Sequence, residues 1–306
     1  MRLRTRGDVD GRDPGVALLA GGTDLLVQRR AGTRRGPIAD ISGLSDAPPP
    51  VQVLDGLIRL SAVAPLSVLE DHLAVLDGSA ALMAGLRAAM RVFASGQIRN
   101  RATLGGNLAN ASPAADCVPP LVAASAMLRL RGPDGSRVVP VDRFATAPGR
   151  TVLKPAEWIE TVDIPTLTIE PTDTLSTASP PPSPSETPGR SGGGDEVCGG
   201  LRVVSGFRKV AGRRALAISV VSLAWQWTAD SDGTLSDVRL AAGAVAPTVI
   251  RCRNAERALE GRVPTPDLAE AIQEDIAPID DLRASAAYRR AALAGALCEA
   301  LMRRNP

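Results

Sequence analysis

Apolar residues along this chain come in short runs broken by glycine, proline and acidic turns, and their spacing alternates between the strand period and the helix period. Val16–Leu19 reads as a short buried strand running into a glycine string, after which Leu25–Arg30 starts a helix. Pro37–Ile41 and Leu57–Ala62 read as further strands, the second preceded by the turn residues Asp55 and Gly56. Leu66, Leu69 and Leu73 recur at helical spacing, and Ala80–Arg91 is rich in the helix formers Ala, Leu and Met. Met127–Arg131 and Arg137–Val141 flank Gly132-Pro133-Asp134-Gly135, a hairpin signature, and Trp158–Pro165 closes this half of the chain.

The composition then shifts. From Thr166 to Gly200 the chain is mostly Thr, Ser, Pro and Gly, including Pro180-Pro181-Pro182 and Gly192-Gly193-Gly194. Such a stretch buries too little apolar surface to offset its ordering entropy, which predicts a linker or surface insertion. Val203–Val210, Leu216–Trp227 and Leu235–Ala242 are strand-like again, with three or more antiparallel strands expected, and Asn254–Glu260 and Pro266–Ile276 read as helical. A long helix follows over Ala284–Arg304, with Leu293, Leu297 and Leu301 at spacing four. The pattern divides the chain into residues 1–165, a linker at 166–200 and residues 201–306, and the fold class is α+β.

Two glycine strings carry the most chemistry: Ala20-Gly21-Gly22-Thr23-Asp24 and Thr103-Leu104-Gly105-Gly106-Asn107. Paired glycines followed by Thr or Asn suit loops whose backbone N–H groups wrap an anion, and two such loops suggest one large phosphate-bearing ligand. Neither fits the phosphate loop G-x-x-x-x-G-K-[ST] or the dinucleotide turn G-x-G-x-x-G.

Charge and rare residues narrow the possibilities. The net charge of +2 comes mainly from dispersed Arg, with Lys only at 154 and 209, so nothing marks a nucleic-acid surface. No apolar run approaches the length of a membrane span, and Met1-Arg2-Leu3-Arg4 lacks a signal-peptide core, which points to the cytoplasm. Cys117, Cys198, Cys252 and Cys298 are too dispersed for a metal or iron–sulfur site. His72, the sole histidine, lies off its apolar stripe, so no Ser-His-Asp or Cys-His arrangement can be assembled. The chemistry must come from a cofactor.

Both glycine strings resemble the pyrophosphate loops of the FAD-binding subunits of molybdenum hydroxylases, the family of xanthine dehydrogenase, carbon monoxide dehydrogenase and aldehyde or aromatic hydroxylases. Gly206–Val221, Val245-Ala246-Pro247-Thr248 and Asp280–Arg290 extend the resemblance to the C-terminal third, with a lean toward the xanthine dehydrogenase branch. The resemblance implies a two-part FAD-binding domain of the PCMH/vanillyl-alcohol-oxidase type, followed by a small α/β domain with a three-stranded antiparallel sheet and helices. It places FAD on this chain, and [2Fe–2S] clusters and molybdopterin on a small and a large partner subunit, with NAD+ or another acceptor receiving the electrons. Leu18, Leu19, Ala20, Gly21, Gly22, Thr23, Asp24 and Leu25 would form one pyrophosphate loop, and Thr103, Leu104, Gly105, Gly106 and Asn107 the other. Asp116 matches an acid that contacts the adenosine part, while capping a helix at Val118–Ala124 is its alternative role. Phe93 matches an aromatic near the flavin or serves as a core anchor. Ile159 and Lys209 match positions near the isoalloxazine ring, with a solvated surface lysine the alternative for Lys209.

The family carries an additional strand and helix ahead of its first loop, whereas mostly polar residues precede Ala20 here, so a truncated start or a degenerate strand is expected. Two further functions stay open: a self-contained flavin oxidase or reductase, which the shortage of His and Tyr disfavours, and a non-catalytic assembly subunit. Because residues 166–200 lack apolar anchors, limited proteolysis should cut there first and leave two fragments that stay associated. Initial cleavage within 20–165 or 201–306 would overturn the division.

Overall fold

The computed structural model describes residues 1–76, 80–166, 194–198, 201–213 and 216–302. Most of the expected linker lies outside the described residues.

The chain start keeps a strand only in degenerate form, a single parallel bridge from Arg2 to Asp40. The backbone of Met1–Leu3 lies alongside Asp40, with Leu3 N–H donating to Asp40 O at 2.9 Å and Asp40 N–H to Met1 O at 2.9 Å. Helix α1 (Arg6–Asp10) follows, started by a capping box in which the Thr5 hydroxyl accepts from Asp8 N–H and the Asp8 carboxylate accepts from Thr5 N–H. Sequence reading missed this helix because a single turn of Arg, Gly and Asp carries only one apolar residue, Val9, which is fully buried. Strands β1 (Ala17–Leu19) and β2 (Ile38–Asp40) pair in parallel across helix α2 (Leu25–Arg30), and Leu3, Val9, Ala39, Ile41, Leu44 and Trp158 form the small core of this lobe.

The main sheet of the first half is built from β3 (Val51–Leu54), β4 (Leu57–Ser61), β5 (Met127–Gly132), β6 (Gly135–Pro140) and a strand at Trp158–Pro165. Its spatial order is β3, β4, Trp158–Pro165, β5, β6, all antiparallel. Helices α3 (Leu66–Ala74), α4 (Ala80–Val92), α5 (Gly96–Arg99), α6 (Leu104–Ala109) and α7 (Val118–Ala123) lie between β4 and β5 in the chain, and the main core forms where they meet this sheet. His72 is exposed, with its Nδ1 2.8 Å from Val68 O. Val141–Arg143 adds a turn of 3-10 helix, β7 (Ala145–Ala147) and β8 (Arg150–Thr151) form a small ribbon, and the central strand Trp158–Pro165 becomes β9.

Strand β9 is buried along seven of its eight residues, although Glu160, Thr161 and Asp163 are polar. Buried carboxylates need partners, and each has them. Glu160 accepts from Arg6 at 2.8 Å, which ties the first lobe to the sheet. Asp163 holds Arg59 in a two-pronged pair at 2.8 and 2.7 Å, with Arg129 at 3.6 Å.

The C-terminal sheet has five antiparallel strands rather than three: β10 (Gly194–Cys198), β11 (Leu201–Val210), β12 (Val221–Ala229), β13 (Leu235–Gly243) and β14 (Ile250–Arg251). The additional β10 lies where glycine and proline content predicted linker. Residues Leu216–Val220, expected as strand, instead belong to the connection between β11 and β12. One face of the sheet, with Phe207, Ala224 and Ala241, joins the main core below α4 and α7. The other packs on α8 (Arg253–Leu259), a 3-10 segment at Pro266–Glu274 and α9 (Ala286–Met302). Inside this second core Arg289, only 2% exposed, donates to the carbonyls of Val220 and Ala244 at 2.8 Å each and to Asp281 at 2.6 Å.

Burial raises the pKa of Asp163, but the bonds and charge of Arg59 outweigh it, so this carboxyl titrates below its usual 3.8; Arg137 holds Glu157 below its usual 4.5 despite partial burial. Carboxyls depressed in the folded state stabilise it above their unfolded values and lose that contribution as pH falls through the folded ones. Thermal midpoints should therefore drop with acidification below about pH 4.5. Asp163→Asn should start lower at neutral pH and converge on the wild type in acid, whereas a constant gap would contradict the assignment.

Candidate functional site

The first glycine string turns β1 into α2. Gly22 has φ +75°, a left-handed conformation that glycine adopts without strain, and Gly21 has no room for a side chain. A Cβ on Gly21 would lie 2.0 Å from Arg101 O, so the backbone of this loop rests directly on the chain entering the second string. No described residue accepts a hydrogen bond from the N–H groups of Gly21, Gly22, Thr23 or Asp24. Four adjacent unspent donors before a helix provide the backbone of an anion site.

The second string is spent differently. Thr103 caps α6 by accepting from Gly106 N–H at 3.0 Å, Gly105 N–H donates to Ala62 O at 2.8 Å, and Asn107 N–H donates to Thr103 O at 3.0 Å. These three N–H groups are thus committed within the fold instead of remaining free for a phosphate. Gly105 is required because Ala62 O would lie 2.7 Å from its Cβ. This string offers a ligand the Thr103 hydroxyl proton and the Asn107 amide, whose Oδ1 is buried without a partner.

Both strings open on one cleft of about 1160 Å³ that crosses from the first lobe to the C-terminal sheet. Of the expected site residues, Leu18, Ala20, Gly21, Gly22, Thr23, Asp24, Leu25, Phe93, Thr103, Gly105, Gly106, Asn107, Asp116, Ile159 and Lys209 all line it. Leu19 and Leu104 do not: Leu19 supports the loop from beneath, its Cδ1 2.8 Å from where a Gly22 Cβ would stand, and Leu104 is fully buried in the main core. Phe93 lines the cleft and packs on that core. Arg12, Arg34, Ser112, Lys154 and Leu216–Ile218 also line it. Single Arg, Ser and Leu residues without a glycine motif give no signal in the sequence.

Asp116 does not cap α7, whose N-cap is Cys117 with no side-chain bond. Its carboxylate is instead shared between Lys209 Nζ at 2.6 Å and Ser219 Oγ at 2.5 Å. The Asp116 and Lys209 side chains are 8% and 10% exposed, so Lys209 is a buried paired cation and not a solvated one. Burial pushes the neighbouring Cys117 thiol far up, leaving it unreactive at neutral pH. Arg12 braces the cleft floor by donating to Val9 O and Ala156 O at 2.9 Å each, joining the first lobe to the turn before β9.

A cleft with four unspent N–H groups at one loop fits a dinucleotide whose pyrophosphate meets that loop, while the orphaned Asn107 Oδ1, an acceptor, suits a hydroxyl donor elsewhere on the ligand. Residues 7–167 match the family described as the FAD binding domain in molybdopterin dehydrogenase, and residues 207–303 match the CO dehydrogenase flavoprotein C-terminal domain. The chain belongs to the FAD-binding subunits of the molybdopterin dehydrogenases. It is 32% identical over 288 residues to the xanthine dehydrogenase FAD-binding subunit of Escherichia coli O157:H7, covering 90% of this chain and 84% of that one. It is 28% identical over 208 residues to the nicotine 6-hydroxylase medium subunit of Paenarthrobacter nicotinovorans, covering 67% and 61%. Carbon monoxide dehydrogenase from Hydrogenophaga pseudoflava shares the fold, with a TM-score of 0.78 at 23% identity over 97% of this chain and 93% of that one. As a member of this family the chain is an oxidoreductase subunit, and its cofactor is FAD.

Gly21→Ala must push Arg101 away and should cost about 1–3 kcal/mol, with loss of FAD during purification. Gly106→Ala meets only Thr103 Oγ1 at 3.1 Å and should keep its FAD. Equal FAD retention in the two variants would contradict the close-approach argument.

Proposed function

We propose that this chain carries electrons within a molybdenum hydroxylase, receiving them from [2Fe–2S] clusters on a small partner subunit and passing them to NAD+ or another acceptor. In this reading a molybdopterin subunit oxidises the substrate, the assembly is cytoplasmic, and residues 1–165 form a PCMH-type FAD domain followed, after residues 166–200, by a C-terminal domain at 201–306. The row of unspent N–H groups from Gly21 to Asp24 carries the proposal, because it provides an anion seat within a cleft of about 1160 Å³. Bound FAD supplies the interconversion between one-electron and two-electron transfer.

The protein's own residues bind and shelter the cofactor. The N–H groups of Gly21–Asp24 would hold the pyrophosphate, Asn107 Oδ1 would accept from a hydroxyl of the cofactor, Ile159 and Phe93 wall the cleft with apolar surface, and Lys209 presents an ammonium paired with Asp116. Acid–base groups for an organic substrate are scarce: His72 is outside the cleft lining, and Tyr288, on α9, is 54% exposed and also outside it. Among the described residues no group of three His, Cys, Asp or Glu side chains is placed to hold a metal ion, and no helix is long and apolar enough to cross a membrane.

Flavin in the reconstituted complex should bleach on mixing with a heteroaromatic or aldehyde substrate, while the isolated FAD-loaded chain should not. Rapid-mixing absorbance decides this, and bleaching of the isolated chain would favour a self-contained oxidase.

A further inference from the structure

We propose that Arg289 is a positioning residue of the cofactor cleft, holding two of its walls in place from behind without touching the cofactor. The inference rests on the assignment of this cleft to FAD. Arg289 lies on α9 within the second core, 2% exposed and outside the cleft lining. Its Nη1 donates to both Val220 O and Ala244 O at 2.8 Å, and its Nη2 donates to Asp281 Oδ1 at 2.6 Å. Ser222 and Gly243 are the last residues to pair at this end of β12 and β13, so one nitrogen bridges the two chains just beyond their ladder.

Each bridged residue leads to a wall of the cleft. Val220 follows Ser219, whose hydroxyl donates to Asp116, and before it Leu216, Ala217 and Ile218 line the cleft. On the other chain Ala244 N–H donates to Pro113 O at 2.7 Å, and Ser112, Ala114 and Ala115 around that proline line the cleft as well. The approach is close, since a Cβ on Gly243 would lie 3.3 Å from Pro113 O. Ala244 itself sits at φ +62°, a left-handed conformation that is unfavourable with a Cβ and persists only where the surroundings impose it. Pro113 holds its N–H and Arg289 holds its carbonyl.

Stability alone does not call for a cation here. A guanidinium in a core carries a desolvation cost that an apolar side chain of similar volume avoids, and Arg289 also leaves its Nε without a partner among the described residues. What an apolar residue cannot do is fix two carbonyls and a carboxylate at set separations, as a planar fork of donors does. Arg289 therefore sets where the Leu216–Ser219 segment and the chain around Pro113 stand relative to each other.

Arg289→Lys keeps the charge and loses the fork, so on the full chain it separates placement of the walls from stability of the core. FAD affinity, read by flavin fluorescence, should weaken about tenfold, and the visible circular dichroism of bound flavin should change, while the apo chain keeps its far-ultraviolet spectrum. Asp281→Asn removes the partly exposed counter-charge and should move both flavin readouts in the same direction by less. It decides the matter if Arg289→Lys does not fold. Wild-type affinity and flavin dichroism in the folded variant would overturn the inference. So would a loss of binding that the unfolded fraction of the apo chain, read from its thermal transition, accounts for in full, because Arg289 would then serve the second core alone. Failure of the wild-type chain to bind FAD at all would instead remove the assignment of the cleft.

Discussion

The site depends on one close contact, the backbone of Gly21 lying against Arg101 and Ala102, where any side chain would overlap the Arg101 carbonyl. This contact brings together two segments that belong to different cores. The first loop rides on the small lobe held by Leu3, Val9 and Trp158, while the second begins a helix rooted in the main core through the fully buried Leu104. Without the glycine, neither core would place its loop at the cleft, and the cofactor seat would open at its centre. Glu160 and Arg12 reinforce the same junction, one through the ion pair with Arg6 and the other through the carbonyls of Val9 and Ala156.

Division of labour between the loops follows from their backbone bonds. Gly105 and Gly106 resemble Gly21 and Gly22 in sequence, yet their N–H groups close the first turn of α6 and tie it to Ala62, so the second string acts mainly as a rigid support. The donors left for an anion belong to the first loop, and the polar atom left over on the second is a side-chain oxygen of Asn107. Asp116 completes the arrangement from the far side by strapping the β11–β12 connection, so the cleft is closed by contacts from three separate parts of the chain.

Local pattern made much of this legible. Both glycine strings stand out because paired glycines followed by Thr or Asn are uncommon inside strands and helices, although the second string opens α6, and the Asp55-Gly56 and Pro133-Asp134 turns mark their strands through backbone geometry. What stayed hidden was carried either by too few residues or by too great a separation. Helix α1 buries one side chain, and β10 lies in glycine-rich sequence whose pairing with β11 is invisible until the partner is placed. Asp116 meets Lys209 and Ser219 across 93 and 103 residues, so local capping was as good a reading of that acid as any. Leu216–Val220 reads as strand because it is mostly apolar, but Leu216, Ala217 and Ile218 line the cleft, while Val220 packs into the second core.

Amide hydrogen exchange of the purified chain, with and without saturating FAD, tests the seat most directly. The account predicts the largest slowing at Gly21–Asp24, whose N–H groups have no partner among the described residues, and little change at Gly105–Asn107, whose N–H groups are already bonded. Saturating FAD with no slowing at Gly21–Asp24 would place the cofactor elsewhere and contradict the account.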